Sequence, residues 1–220
     1  MKKLFAVLFI TSSIVFSAKG QQLYVDVFSG YNKTAFDDKT YQPHVGYVPI
    51  GGRIGGGLEH VQLGVEYSRD ITHATFNYKI GDQTVSKDIF NNDYVGLFLR
   101  GNLSSLPAYR FGLIIMAGAG YYNTKVENYG TVPSDILVKS TTYPKTLGYN
   151  GRVGISVPIY AQLHWEFGYQ INYVKREAYE GLPAYKGLYH SFQGGLSLNL
   201  VFGNTEKRCR RVIDSDGGFW

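Results

Sequence analysis

From Ala161 to Tyr173 the chain alternates without a break: odd-numbered positions are apolar or aromatic, and even-numbered ones are polar or glycine. Successive side chains of a β-strand point to opposite faces. The pattern therefore predicts a two-faced strand, with Leu163, Trp165, Phe167, Tyr169, Ile171 and Tyr173 on one side and Gln162, His164, Glu166, Gln170 and Asn172 on the other. Soluble strands run to roughly 5 to 6 residues, whereas a tilted strand needs roughly 9 to 11 to cross the hydrocarbon of a bilayer. This stretch fits the longer class.

Seven further segments alternate in the same way, with apolar faces running through Leu23–Tyr31, Val48–Leu58, Leu63–Tyr67, Val95–Leu103, Phe111–Tyr121, Leu147–Val157 and Phe192–Phe202. Short connections near Glu59–Val61, Ser104–Ala108 and Pro158–Tyr160 alternate with long ones near Lys33–Gly46, Asn77–Asn92, Lys125–Lys145 and Lys175–Gly187. The long ones are rich in Asn, Asp, Lys, Gly, Thr and Pro. Short periplasmic turns and long extracellular loops are the signature of bacterial outer-membrane barrels. The expected fold is all-β: an eight-stranded antiparallel up-and-down transmembrane β-barrel over residues 21–203, with both termini periplasmic and four loops outside. A soluble barrel of lipocalin type is the rival, and it would invert the two faces.

The ends of the chain add a destination. Lys2 and Lys3 precede an apolar run from Leu4 to Phe16, and Ser17, Ala18 and Gly20 supply small residues for cleavage. Residues 1–20 are therefore expected to be a signal peptide, with the mature chain beginning near Gln21. Residues 204–220 form an expected periplasmic tail, in which Lys207, Arg208, Arg210 and Arg211 surround Cys209. A lone cysteine makes no intramolecular disulfide, so other forces must hold the fold. Loss of Lys2, Lys3 and Lys19 with the signal leaves 19 basic residues against 17 acidic ones, so the basic balance says little about nucleic acid, and no nucleic-acid partner is expected.

On the faces expected to point inward lie Asp26, Arg53, Glu66, Arg100, Arg110, Arg152, His164 and Glu166. An eight-stranded barrel has an interior just wide enough for side chains to fill. Charges packed there must be paired, so an Arg/Glu/Asp network plugging the lumen is expected, with a polar path for small solutes as the other reading. The crowded glycines Gly51, Gly52, Gly55, Gly56 and Gly57 are expected to give curvature and room for lumen side chains. Tyr31, Tyr67, Tyr121, Tyr149, Trp165, Tyr169, Tyr173 and Phe202 are expected to form aromatic girdles at the two membrane interfaces. No metal spacing, phosphate loop or nucleotide motif suggests a cofactor.

In this architecture, and in the last strand Gln193-Gly194-Gly195-Leu196-Ser197-Leu198-Asn199-Leu200, the chain resembles the small eight-stranded outer-membrane barrels of the OmpA/OmpX-like group, and more loosely the PorT-like barrels of Bacteroidetes. It departs from them by continuing beyond Phe202 to Trp220. The resemblance implies the outer membrane of a Gram-negative bacterium, contact with its lipid and lipopolysaccharide, and assembly by the barrel-assembly machinery. Some barrels of this kind modify lipid A through a His and a Ser with a carboxylate. Here His190 and Ser191 are neighbours in a strand and face opposite sides, and His44, His60 and His73 fall in no such pattern. No catalytic residue is expected. The expected function is a non-enzymatic anchor whose external loops serve adhesion or ligand recognition, the third loop, Asn128 to Thr142, being the longest candidate. A small-solute channel and a lipid A-modifying enzyme are the alternatives.

Overall fold

A computed structural model of the chain describes residues 21–202 apart from 37–40, 59, 73, 81–82, 104–110, 131–135, 161 and 183. The expected signal peptide, the C-terminal tail with Cys209, the turn at Ser104–Ala108, His73 and Arg110 lie outside the described residues. Eleven strands follow one another: β1 Gln21–Phe36, β2 Tyr41–Val45, β3 Pro49–Gly57, β4 Val61–Asp70, β5 Ala74–Ile80, β6 Gln83–Asn102, β7 Gly112–Tyr129, β8 Leu137–Thr142, β9 Thr146–Tyr160, β10 Leu163–Arg176 and β11 Tyr185–Phe202. Eight of them close a ring in the order β1-β3-β4-β6-β7-β9-β10-β11, with β11 returning to β1 and every pairing antiparallel.

The alternation becomes an inside and an outside. Val27, Leu63, Val65, Leu97, Leu99, Val153, Trp165 and Leu196 face outward and are exposed, while Asp26, Arg53, Glu66, Arg100, Arg152 and Glu166 on the neighbouring positions are at most 2% exposed. On β1 the apolar outward run ends at Tyr31 and is followed by the exposed Lys33. From Leu23 to Tyr31 it matches the roughly 9 residues that cross a hydrocarbon layer when tilted.

The remaining strands correct the expected loops. The segments from Lys33, Asn77, Lys125 and Lys175 were expected as irregular connections, yet β1 runs to Phe36, β6 starts at Gln83, β7 reaches Tyr129 and β11 starts at Tyr185. β5 extends the sheet beside β6, β2 pairs with β5, and β8 pairs with β7. On β8 the polar Lys139, Ser140 and Thr142 are exposed, as suits a strand standing in water. At the other end, Pro158–Tyr160 is the last part of β9 rather than a turn, and β10 begins at Leu163.

Two glycines show what the wall makes room for. A Cβ on Gly51 would lie 2.4 Å from the Phe28 ring, and one on Gly168 would lie 2.6 Å from Nε of Arg152. Large lumen side chains lie directly over these bare stretches of backbone.

Candidate functional site

Register builds the first node of the lumen. Arg53 on β3 stands directly opposite Asp26 on β1 and Glu66 on β4. Its Nη1 donates to Oδ2 of Asp26 at 2.7 Å and its Nε to Oε2 of Glu66 at 3.1 Å. Nη2 donates to Oε1 of Gln193 at 2.7 Å and of Gln170 at 3.1 Å. The guanidinium lies 3.8 Å from the centroid of the Phe28 ring. A buried cation is tolerated on these terms: two carboxylates, two amide oxygens and an aromatic face.

Glu166 on β10 is the second node. It accepts from Nη2 of Arg100 at 2.7 Å and from the Tyr24 hydroxyl at 3.1 Å, and Nη1 of Arg152 stands 3.7 Å away. Arg100 donates through Nη1 to Gln62 at 2.7 Å, and Gln62 donates to Gln22 at 3.0 Å. The Arg100 guanidinium also covers the Tyr24 ring at 4.2 Å. Arg53, Arg100 and Arg152 thus meet Asp26, Glu66 and Glu166, charge for charge. Arg152 is held least well, because its Nε and Nη2 find no partner among the described residues. His164, set beside this network by its place on β10, meets Oγ of Ser156 through Nδ1 at 3.0 Å.

Above the charges, the lumen changes character. Tyr47, Phe90, Tyr94, Tyr122, Val126, Tyr143, Val174, Tyr185 and Tyr189 form one buried cluster. A further arginine, Arg176, sits within it at 1% exposure. Its Nε donates to the Tyr185 hydroxyl at 3.0 Å and Nη1 to Oγ1 of Thr146 at 3.2 Å; Nη2 donates to Oγ1 of Thr124. Its neighbours in these bonds are neutral.

Between the two layers lies a polar cavity of about 30 Å3, bordered by Asn32, Asp70, Asn92, Tyr94, Gln170 and Gln193. It has room for water, which needs about 10–15 Å3. Asp70, the last residue of β4, stands beyond the outward Tyr67 and the exposed Arg69, above the apolar belt. One carboxylate oxygen accepts both the backbone N–H and the side-chain amide of Asn92, each at 2.9 Å. Burial pushes the Asp70 carboxyl up to about 7, against the pull of these Asn92 hydrogen bonds.

On the outer wall, Tyr31, Tyr67, Tyr121, Tyr149 and Tyr173 are exposed toward the ends of their strands remote from Gln21 and Phe202, and Trp165 toward the opposite end of β10. Tyr169 is half-buried; its hydroxyl meets Nδ1 of His190 and its ring packs on Phe192 at 5.0 Å. Phe202 pairs with Gln21 at the closing seam. Sequence reasoning missed the roles of Tyr24, Ser156, Asp70 and Arg176. Arg176 could have been found, since Val174 and Arg176 continue the inward parity of β10.

A closed ring of eight antiparallel strands, apolar outside and polar within along one belt, is the fold of the small outer-membrane β-barrels. Among solved structures the chain is similar to Neisserial surface protein A, with 13% identity, 82% of this chain and 99% of that one covered, and a TM-score of 0.53. Similar also are the N-terminal barrel domain of Pseudomonas aeruginosa OprF (13% identity, 80% and 99% covered, TM-score 0.44) and Ail of Yersinia pestis, solved with the heparin analogue sucrose octasulfate (11%, 81% and 99%, 0.44). At such identities the likeness is one of fold. No family model matches the sequence. No curated protein matches it either.

Proposed function

We propose that this protein is a non-enzymatic anchor in the outer membrane of a Gram-negative bacterium, exported by a cleavable signal at residues 1–20, with a plugged lumen and external connections that recognise an extracellular partner. The carrying observation is the reversal of polarity across the wall, exposed apolar side chains outside and ion pairs buried inside at the same height. Kinship to the OmpA/OmpX-like or PorT-like barrels, and passage through the barrel-assembly machinery, belong to the same reading. Rigid scaffolds that present projecting segments suit recognition. The hairpin strands β2, β5 and β8 supply such projections, and β8 lies within the third connection.

Two measurements test this. Carbonate or urea extraction of cell envelopes should leave the protein in the membrane pellet; release into the soluble fraction would defeat the membrane assignment. In planar bilayers the plugged barrel should give no steady open-channel current, whereas reproducible unitary currents would favour the transport reading. Against lipid A modification stands the position of the Ser156–His164 pair, which is buried within the lumen and turned away from the lipid face. Lipid A from expressing cells should keep its mass.

A further inference from the structure

Immediately beyond the extracellular tyrosines the outward face becomes cationic, but only on one side. Four neighbouring strands of the ring, β9, β10, β11 and β1, carry Lys145 (at the head of β9), Lys175, Lys186 and Lys33, all exposed. None of the four makes an ion pair among the described residues. Lys175 and Lys186 stand directly opposite each other across β10 and β11, and Lys33 stands opposite His190. Like charges placed directly opposite destabilise a sheet, so this arrangement calls for an anion from outside the chain. The far arc behaves differently. There Arg69 meets Asp93 at 3.5 Å and Lys125 meets Glu127 at 2.6 Å, so the wall neutralises its own charge.

Height narrows the ligand. Lys33 comes two residues after Tyr31, and Lys175 two after Tyr173, which is about 6–7 Å further along each strand. Aromatic rings mark the membrane interface, so these ammonium groups stand among lipid headgroups and beside the barrel, away from its mouth. Of the described carboxylates, those nearest in sequence to Lys175 and Lys186, Glu177 and Glu180, lie further out, past the end of β10, while Asp37 and Asp38, which follow Lys33, lie outside the described residues. We propose that the β9–β10–β11–β1 arc binds the phosphate groups of a phosphorylated glycolipid of the outer leaflet, of the lipopolysaccharide type. This rests on the membrane reading above and adds a sided, lipid-specific contact to it. A soluble polyanion would meet the loop tips first, whereas a lipid packed against the wall meets these lysines first.

Native mass spectrometry of the full chain in detergent tests the assignment, with bisphosphorylated lipid A, fully dephosphorylated lipid A and sucrose octasulfate as probes. The unsubstituted protein should retain the bisphosphorylated lipid at least about tenfold better than the dephosphorylated one. Joint replacement K33Q, K145Q, K175Q and K186Q should abolish that preference, and the matching four Lys→Arg replacements should keep it. The pair R69Q and K125Q on the far arc should leave it unchanged. A heat-induced shift in gel mobility shows that each variant is folded. Equal retention of both lipids, an equal loss from the far-arc pair, or a stronger preference for sucrose octasulfate than for bisphosphorylated lipid A would overturn the proposal. A protein that stays in the carbonate pellet but shows no lipid preference refutes the lipid site alone; release from the pellet refutes the membrane reading beneath it.

Discussion

Along Leu23–Tyr31 and its counterparts the wall turns apolar side chains outward and encloses Arg53, Arg100, Arg152 and their carboxylates. Above the tyrosines the same wall turns Lys33, Arg69, Lys125 and Lys175 outward and encloses Phe90, Tyr94, Val126, Val174 and Tyr189. The pleat does not change phase between the two regions: on β7, Ile114, Met116, Tyr122 and Val126 all point inward. What changes is the medium outside. In hydrocarbon the outer face must be apolar, so the charged residues fall to the lumen, where Tyr24, Phe98, Ile114 and Met116 pack beside them; in water the barrel is built like any soluble domain, with its apolar residues inside. Both fillings close the lumen, but the lower one depends on partners that cannot be removed singly.

The largest effect should come from breaking the lower layer. Arg53→Met strands Asp26 and Glu66 without their cation in a dry interior, and should cost about 5 kcal/mol or abolish folding, read from the urea midpoint in detergent or lipid. In the upper layer Phe90→Ala leaves a cavity in an apolar cluster and should cost about 4 kcal/mol by the same measurement. A smaller shift follows from pH at the boundary between the layers. The Asp70 carboxyl holds its proton more tightly folded (about 7) than unfolded (3.8), so its contribution is greatest at low pH and is lost as pH rises through 7. The urea midpoint should therefore fall from pH 5 to pH 8 by the equivalent of about 3 kcal/mol. Asp70→Asn should flatten that difference, and a variant with the full pH slope would refute the assignment. The least effect is expected from Arg176→Met. It leaves only neutral hydroxyls and a carbonyl without a donor and should cost about 1–2 kcal/mol, well below the cost at Arg53. Equal costs at the two arginines would dissolve the contrast between the layers.

The wall strands and their two faces were legible because a period of two residues survives in any register. Asp26, Arg53, Glu66, Arg100, Arg152, His164 and Glu166 could be placed inside on that basis alone. Their partners could not, since the pairing of Arg53 with Asp26 and Glu66 depends on how far each strand slides against the next. Strand ends were also hidden. Asn, Asp, Lys and Thr look like loop composition, but outside the membrane they are what a strand presents to water, so the extensions holding Phe90, Val126 and Arg176 read as loops in the sequence. The role of Asp70 was hidden for a similar reason: the cavity it borders is lined by residues from six other strands, including Asn32, Asn92, Gln170 and Gln193.

The seam between β1 and β11 runs through sixteen residue pairs, from Gln21 opposite Phe202 to Phe36 opposite Gly187. Every one of these contacts joins the start of the described chain to its end. Closing so long a span costs conformational entropy that no local turn recovers, so this seam is the last part of the ring able to form. Until it does, β1 and β11 each carry an unpaired backbone edge, which hydrocarbon will not tolerate. The timing of insertion is therefore tied to the meeting of the two chain ends: a chain truncated within β11 should arrive at the membrane with seven strands in place and nothing to hold them there.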